Sequence, residues 1–208
     1  MRLILVRHGQ TEWNRLRRIQ GISNQGLNET GLKQAEALAE ALKDKNVAAI
    51  YASPTRRTRE TAAPMAEALG IEPVLDGRLE ERGFGVWEGM DFDDIQERFP
   101  DEFTAWKTDP IHYAPEGGEN IRELSDRVGE VLAEVRERHP GKAALVVTHV
   151  GVIRTALCEA LGTPLAEYRR FHVATGSVAR VDYGKRQANL MYLGVLPGGR
   201  NGWAGGDL

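Results

Sequence analysis

Hydrophobic positions in this chain fall into blocks, and the spacing within the blocks changes along it. Leu3-Ile4-Leu5-Val6 and Ala143-Ala144-Leu145-Val146-Val147 are unbroken apolar runs of strand length. Such runs belong to strands covered on both faces, the habit of parallel sheets. They predict strands over 2–6 and 143–148, joined by further candidates at 48–52, 73–75, 171–182 and 187–193. Tyr183-Gly184-Lys185-Arg186 between the last two reads as a hairpin turn. Elsewhere the period lengthens. Leu32, Ala35, Leu38, Ala39 and Leu42 mark one face of a helix over 30–43. Residues 55–69 form a second helix. A third covers 120–138, with Ile121, Leu124, Val128, Val131, Leu132 and Val135 on one face and Pro140-Gly141 as its stop. A fourth covers 152–161, closed by Gly162 and Pro164.

Strands alternating with helices predict an α/β fold, a three-layer α/β/α sandwich with a mostly parallel central sheet. The closing hairpin adds at least one antiparallel edge strand. Residues 88–120 break the rhythm with Trp106, several phenylalanines and Pro100, Pro110 and Pro115. They read as two short helices, 91–99 and 101–108. Two readings stay open for them: a lid-like excursion over a site, or a satellite cluster packed on the sheet edge. Residues 1–196 then make one domain, and 197–208, rich in glycine, make a flexible tail.

A length of 208 residues suits one ordinary core. Lys plus Arg is 27 and Asp plus Glu is 30, a net charge of −3. No global field draws the chain to nucleic acid or to a membrane, so an anion site must be built locally. The single cysteine, Cys158, excludes an intrachain disulfide and reads as a small buried hydrophobe. The first apolar run is too short for a signal peptide or a membrane span, and a cytoplasmic location is expected.

The chemistry gathers where strands stop. The strands at 2–6 and 143–148 lead into Arg7-His8-Gly9 and His149-Val150-Gly151. Open α/β sheets bind ligands at the carboxyl ends of their strands. His8 offers a ring nitrogen there, and Arg7 a fork suited to phosphate oxygens. In Ser53-Pro54-Thr55-Arg56-Arg57, Ser53 can cap a helix and Pro54 suits its first turn. Arginines at that end oppose the macrodipole, a cost that points to a bound anion. Arg59 and one of the adjacent pair read as solvated. The loop from Arg78 to Gly89 interleaves glycines with aromatics and carries Glu80 and Glu81. His149 precedes a helix whose first amides also suit an anion. Together these make a phosphoryl-transfer site with no metal motif and no Gly-rich nucleotide loop. Arginines, histidines and amides must then meet the charge.

Four stretches resemble the histidine phosphatase superfamily, the branch that includes the cofactor-dependent phosphoglycerate mutases. Arg-His-Gly-x-Thr-x-x-Asn is matched at Arg7, His8, Gly9, Thr11 and Asn14. Ser-Pro-Leu-x-Arg-Ala-x-x-Thr-Ala is matched at Ser53, Pro54, Arg57, Thr61 and Ala62, with departures at Thr55 and Thr58. Glu-x-x-Phe-Gly-x-Trp-Glu-Gly runs from Glu81 to Gly89. Thr-His-Gly-Gly-x-Ile-Arg is matched at Thr148, His149, Gly151, Ile153 and Arg154, with Val150 in place of a glycine.

The resemblance implies that His8 is a nucleophile that becomes a phosphohistidine, its other ring nitrogen held by a carbonyl near Gly9. It implies that Arg7, Arg57 and His149 bind the equatorial oxygens. Glu81, or Glu80 as the fallback, protonates the leaving alkoxide and then activates water. Asn14, Gln20 and amides near Gly21 and Ile22 orient substrate. Val150 is expected to keep ordinary dihedrals, to supply an amide and to narrow the pocket. Arg15, Arg17 and Arg18 either meet an extra anion or form a solvated basic turn. The function implied is a metal-independent phosphomonoesterase that needs no cofactor and acts on a small phosphorylated metabolite, with a homodimer admitted. The alternatives are a 2,3-bisphosphoglycerate-dependent phosphoglycerate mutase and a non-catalytic phospholigand-binding protein. Residues 88–120 resemble the shorter phosphatase-type lid.

Overall fold

The computed structural model describes residues 1–197. The chain begins with β1 (Arg2–Arg7), a single turn α1 (Glu12–Arg15), α2 (Glu29–Leu42), β2 (Val47–Ala52), α3 (Arg56–Leu69) and a short β3 (Val74–Leu75). Two short helices follow, α4 (Phe92–Arg98) and α5 (Pro100–Thr108). The chain then returns through α6 (Ile121–Arg138), β4 (Ala143–Thr148), α7 (Val150–Leu161) and the hairpin β5 (Val178–Tyr183) and β6 (Ala188–Val195).

The strands form one six-stranded sheet in the order β3-β2-β4-β1-β5-β6. β3, β2, β4 and β1 pair in parallel, whereas β5 runs against both β1 and β6. Side chains that alternate along a strand feed two cores. Leu3, Leu5, Ala144 and Val146 pack with the apolar stripes of α6 and α7. Ile4, Val6, Leu145 and Val147 pack with Leu38, Leu42, Ala62 and Met65 of α2 and α3. This is the three-layer sandwich that the periodicity predicts.

The region 88–120 is a packed body. Trp87, Ile95, Phe103 and Trp106 form a third core with Ile19, separate from the two that flank the sheet. Its inner edge, with Phe92 and Trp106, borders the cleft described below.

Two boundaries differ from the sequence expectation. The strand expected over 171–182 begins only at Val178. Gly176 has φ +67°, and its N–H donates to the carbonyl of His8, so the chain turns there before entering the sheet. Glu12–Arg15 is a helical turn that no apolar period announces. A capping box between Thr11 and Asn14 makes it. Of the expected tail 197–208, all but Pro197 lies outside the described residues. Among the described residues, no helix is long and apolar enough to cross a membrane. Cys158 is buried and unpaired, and burial pushes its thiol pKa up.

Candidate active site

β2, β4 and β1 are neighbours in the sheet and point the same way, so their carboxyl ends lie side by side. Arg7 pairs with Thr148 in register. The next residue of each strand, His8 and His149, therefore emerges at the same level. Their ring centroids are 5.2 Å apart, with the planes tilted by 60°.

His8 is oriented through its own backbone. Its Nδ1 lies 2.7 Å from the Gly9 carbonyl oxygen. A carbonyl only accepts, so Nδ1 carries the proton and Nε2 is left with a free lone pair. The Gly9 peptide is pinned in turn, its N–H donating to Thr61 Oγ1 of α3 at 3.0 Å. Burial, reinforced by Arg57 and Arg7, holds the His8 ring well below the usual imidazole range. The ring is neutral at pH 7.

The two motif arginines converge on this ring. Arg7 donates from Nη1 to the Val173 carbonyl at 2.7 Å, while its buried Nε has no partner among the described residues. Arg57 is fully buried. It donates to the carbonyls of Ser23 and Gly21, each at 2.6 Å, and from Nη2 to His149 Nδ1 at 3.1 Å. Burial pushes both guanidiniums down to about 10, against the pull of Glu81. They remain cationic at neutral pH.

His149, expected to bind the equatorial oxygens, has protein groups at both ring nitrogens. Its Nδ1 accepts from Arg57, so the proton of the neutral ring sits on Nε2, 2.9 Å from Ser53 Oγ. Burial and the nearby Arg57 lower its pKa well below the usual value. Both nitrogens are taken by protein groups, and the ring lies behind Arg57, outside the cleft lining.

Glu81 is buried at the start of α7. Oε2 accepts from the Gly151 amide at 3.1 Å and Oε1 from the Arg82 amide at 2.9 Å. A side chain at 151 would strike Glu81 Oε1, which explains the glycine there. The loop is held from beneath by Arg127 of α6, which donates to the carbonyls of Arg78, Glu80 and Glu81. Thr148 Oγ1 adds a bond of 2.7 Å to the Leu79 carbonyl. Glu80 lies outside the cleft lining.

The expected substrate contacts divide. Asn14, Gln20, Gly21 and Val150 line the cleft. Gln20 Oε1 accepts from Thr11 Oγ1, which leaves its amide nitrogen as the end without a protein partner among the described residues. Val150 opens α7 with negative φ and borders the pocket. Ile22 does not reach the cleft. Its amide donates to Glu88 Oε1 at 2.9 Å, and its side chain is exposed. Glu88 also accepts from the amides of Ser23 and Phe84, so this carboxylate builds the loop and leaves no Ile22 N–H for a ligand.

The cleft holds about 560 Å³. Its lining includes Arg7, Arg17, Arg18, Arg57, Arg82, Arg154 and Arg169, and Glu81 is its one acid. Arg15 instead pairs with Glu12 in solvent, and Arg59 is exposed. Sequence reasoning gave no role to Arg82, Arg154, Tyr168, Arg169 or the cleft face of Trp106. Arg82 and Arg154 stood inside matched motifs, the one available signal. Among the described residues, no group of three or more His, Cys, Asp or Glu side chains could hold a metal ion.

Known proteins share this arrangement of elements. The profile of the histidine phosphatase superfamily (branch 1) matches residues 3–195. Phosphoserine phosphatase 1 of Hydrogenobacter thermophilus is 34% identical over 195 residues, covering 94% of this chain and 92% of that protein. "Probable phosphoglycerate mutase GpmB" of Escherichia coli is 35% identical over 187 residues, covering 88% and 85%. Among solved structures, the alpha-ribazole phosphatase from Shigella flexneri aligns with a TM-score of 0.87 at 28% identity, covering 93% and 96%. A mycobacterial glucosyl-3-phosphoglycerate phosphatase complexed with VO3 aligns at 0.84 and 29% identity, covering 93% and 98%.

Proposed function

Since this chain belongs to branch 1 of the histidine phosphatase superfamily, we propose that it hydrolyses a small phosphorylated metabolite through a phosphohistidine on His8. The observation that carries this reading is the hydrogen bond from His8 Nδ1 to the Gly9 carbonyl, which leaves Nε2 unprotonated. Nε2 attacks phosphorus in line while the ester P–O bond breaks. Arg7 and Arg57 meet the charge on the equatorial oxygens. Glu81 gives its proton to the leaving alkoxide, then takes one from the water that cleaves the phosphohistidine, releasing phosphate. His149 keeps Arg57 in place from behind.

The relatives support the ester class. Their names specify phosphoserine, alpha-ribazole and glucosyl-3-phosphoglycerate phosphatases, small metabolites of different shapes. Mutase chemistry is the second reading, favoured by the GpmB relative. It differs only in the acceptor, a substrate hydroxyl instead of water. Phosphate release from p-nitrophenyl phosphate tests the main reading, with acid-labile labelling by its ³²P form. Wild type should release phosphate and take up label, and His8→Ala should do neither. Turnover retained by His8→Ala would refute the assignment. Interconversion of 3- and 2-phosphoglycerate primed by 2,3-bisphosphoglycerate, without phosphate release, would favour the mutase.

A further inference from the structure

The second motif carries leucine and alanine where this chain has Thr55 and Thr58. Both threonines are buried, as are Ser53 and His149. A buried hydroxyl costs stability unless it is bonded, so the partners of these two matter. Thr55 is the N-cap of α3, yet its side chain makes no capping bond. A threonine at that position ordinarily accepts from a helix amide. Its hydroxyl faces Thr58 Oγ1 instead, 2.8 Å away.

The hydroxyls form a chain that runs in one direction. Thr58 Oγ1 lies 2.7 Å from the Ser53 carbonyl and 2.8 Å from the Thr55 carbonyl. Carbonyls only accept, so the single Thr58 hydroxyl proton points there, and Thr58 Oγ1 accepts from Thr55. With its own proton so placed, Thr55 Oγ1 accepts from Ser53 Oγ at 3.3 Å. Toward His149 Nε2, 2.9 Å away, Ser53 Oγ is left only to accept. The Thr55 amide donates to the same oxygen at 3.4 Å. Nε2 therefore carries the ring proton, and Nδ1 is the acceptor that Arg57 Nη2 meets at 3.1 Å. Two carbonyls at the start of α3 thus set, through three hydroxyls, which nitrogen of His149 faces the motif arginine.

We propose that Thr55 and Thr58 are positioning residues for Arg57: they orient Ser53 so that His149 presents an unprotonated Nδ1 to the guanidinium. This rests on the phosphatase reading given above, in which Arg57 meets the phosphoryl charge. Without the two hydroxyls, Ser53 can turn its own proton to Nε2. The ring proton then moves to Nδ1, where it confronts an N–H of Arg57 and pushes the guanidinium from its place.

The test separates hydroxyl from bulk. Valine keeps the shape of threonine without the hydroxyl, and serine keeps the hydroxyl without the methyl group. Thr55→Val/Thr58→Val should lower kcat/KM for p-nitrophenyl phosphate about fivefold or more, and Thr55→Ser/Thr58→Ser should stay within about twofold of wild type. Thr55→Leu/Thr58→Ala, with the motif's own residues, removes the hydroxyls a second way and should follow the valine variant. The tautomer is read by long-range ¹H–¹⁵N correlation on histidine-labelled protein at about pH 8, where the ring is neutral. In Arg57→Met the hydroxyl chain alone should hold the proton on Nε2, and adding the two valines should release it to a mixture. Full activity in the hydroxyl-free variants, equal slowing by serine and valine, or a mixture already present in Arg57→Met overturns this inference and leaves the phosphatase standing. If wild type turns over no ester, the phosphatase reading falls, and the tautomer alone decides whether the hydroxyls orient His149.

Discussion

His149 Nδ1 accepts a hydrogen bond from Arg57 Nη2 at 3.1 Å, and this bond makes one unit of two motifs 92 residues apart. Residues that act as a unit are non-additive in mutant kinetics. Arg57→Ala and His149→Ala should each lower kcat/KM by roughly a hundredfold or more, and the double variant should cost little beyond the worse single. A kinetic double-mutant cycle measures this. Strictly additive losses would mean that His149 acts on the substrate by its own route.

Gly151 and Glu81 are in close contact at the start of α7. Gly151→Ala places a methyl group where the carboxylate sits and forces it aside. Small displacements of a reacting group cost on the order of a hundredfold in rate. The variant should keep its circular dichroism spectrum and lose about that factor in kcat. Near-normal turnover would show that Glu81 need not sit where it does.

Glu81→Gln should slow esters with poor leaving groups far more than p-nitrophenyl phosphate, because only the former need a proton. Arg127→Ala frees the carbonyls of residues 78, 80 and 81 and should show the same leaving-group bias, more weakly. It should also lose about 2 kcal/mol of stability in denaturant titrations. A uniform slowing of all esters by Arg127→Ala would reduce it to a purely structural residue.

His8 and His149 are buried and neutral, with pKa values depressed in the folded state. In the unfolded chain they titrate near 6.5. Below that pH the unfolded state binds protons that the folded state refuses, so stability falls as pH falls. Above it the two states agree and the effect vanishes. Two such groups give a slope of up to about 2.7 kcal/mol per pH unit between pH 6 and 5. Chemical denaturation of wild type against His149→Gln measures it, and the variant should be visibly flatter. Equal slopes would contradict a neutral buried ring.

The cleft gathers seven arginines around a single acid, Glu81, and predicts strong stabilisation by simple anions. Inorganic phosphate at a hundred times its Kd should add about 2.7 kcal/mol, which is roughly 5–10 °C in Tm for a domain of this size. Arg57→Gln should remove most of that shift, as read by differential scanning fluorimetry. A shift of the same size in chloride at equal ionic strength would reduce it to general screening.

Much of this is legible in the sequence. Unbroken apolar runs gave β1 and β4, and a histidine and glycine after each marked their ends. That the two strands are neighbours was not legible. Adjacency of β1 and β4 joins residues far apart in sequence, and no local pattern encodes it. The same limit hid the fate of the Ile22 amide, which a carboxylate 66 residues away consumes. It also hid the placing of Arg169, in a 3-10 segment (Leu165–Arg170) with no apolar period to give it a face. The false start of the last hairpin has a different cause. Phe171 and Val173 look like strand residues, and Gly176 was the visible warning that the chain bends there.

The core around Trp87, Ile95, Phe103 and Trp106 stands apart from the strand end where His8 emerges and from α3, which carries Arg57. Bond-breaking groups and the Trp106 wall therefore rest on different foundations. Natural variation can redraw that wall residue by residue while the reacting groups stay as they are. A lineage built in this way can pass from one metabolite to another without losing activity in between.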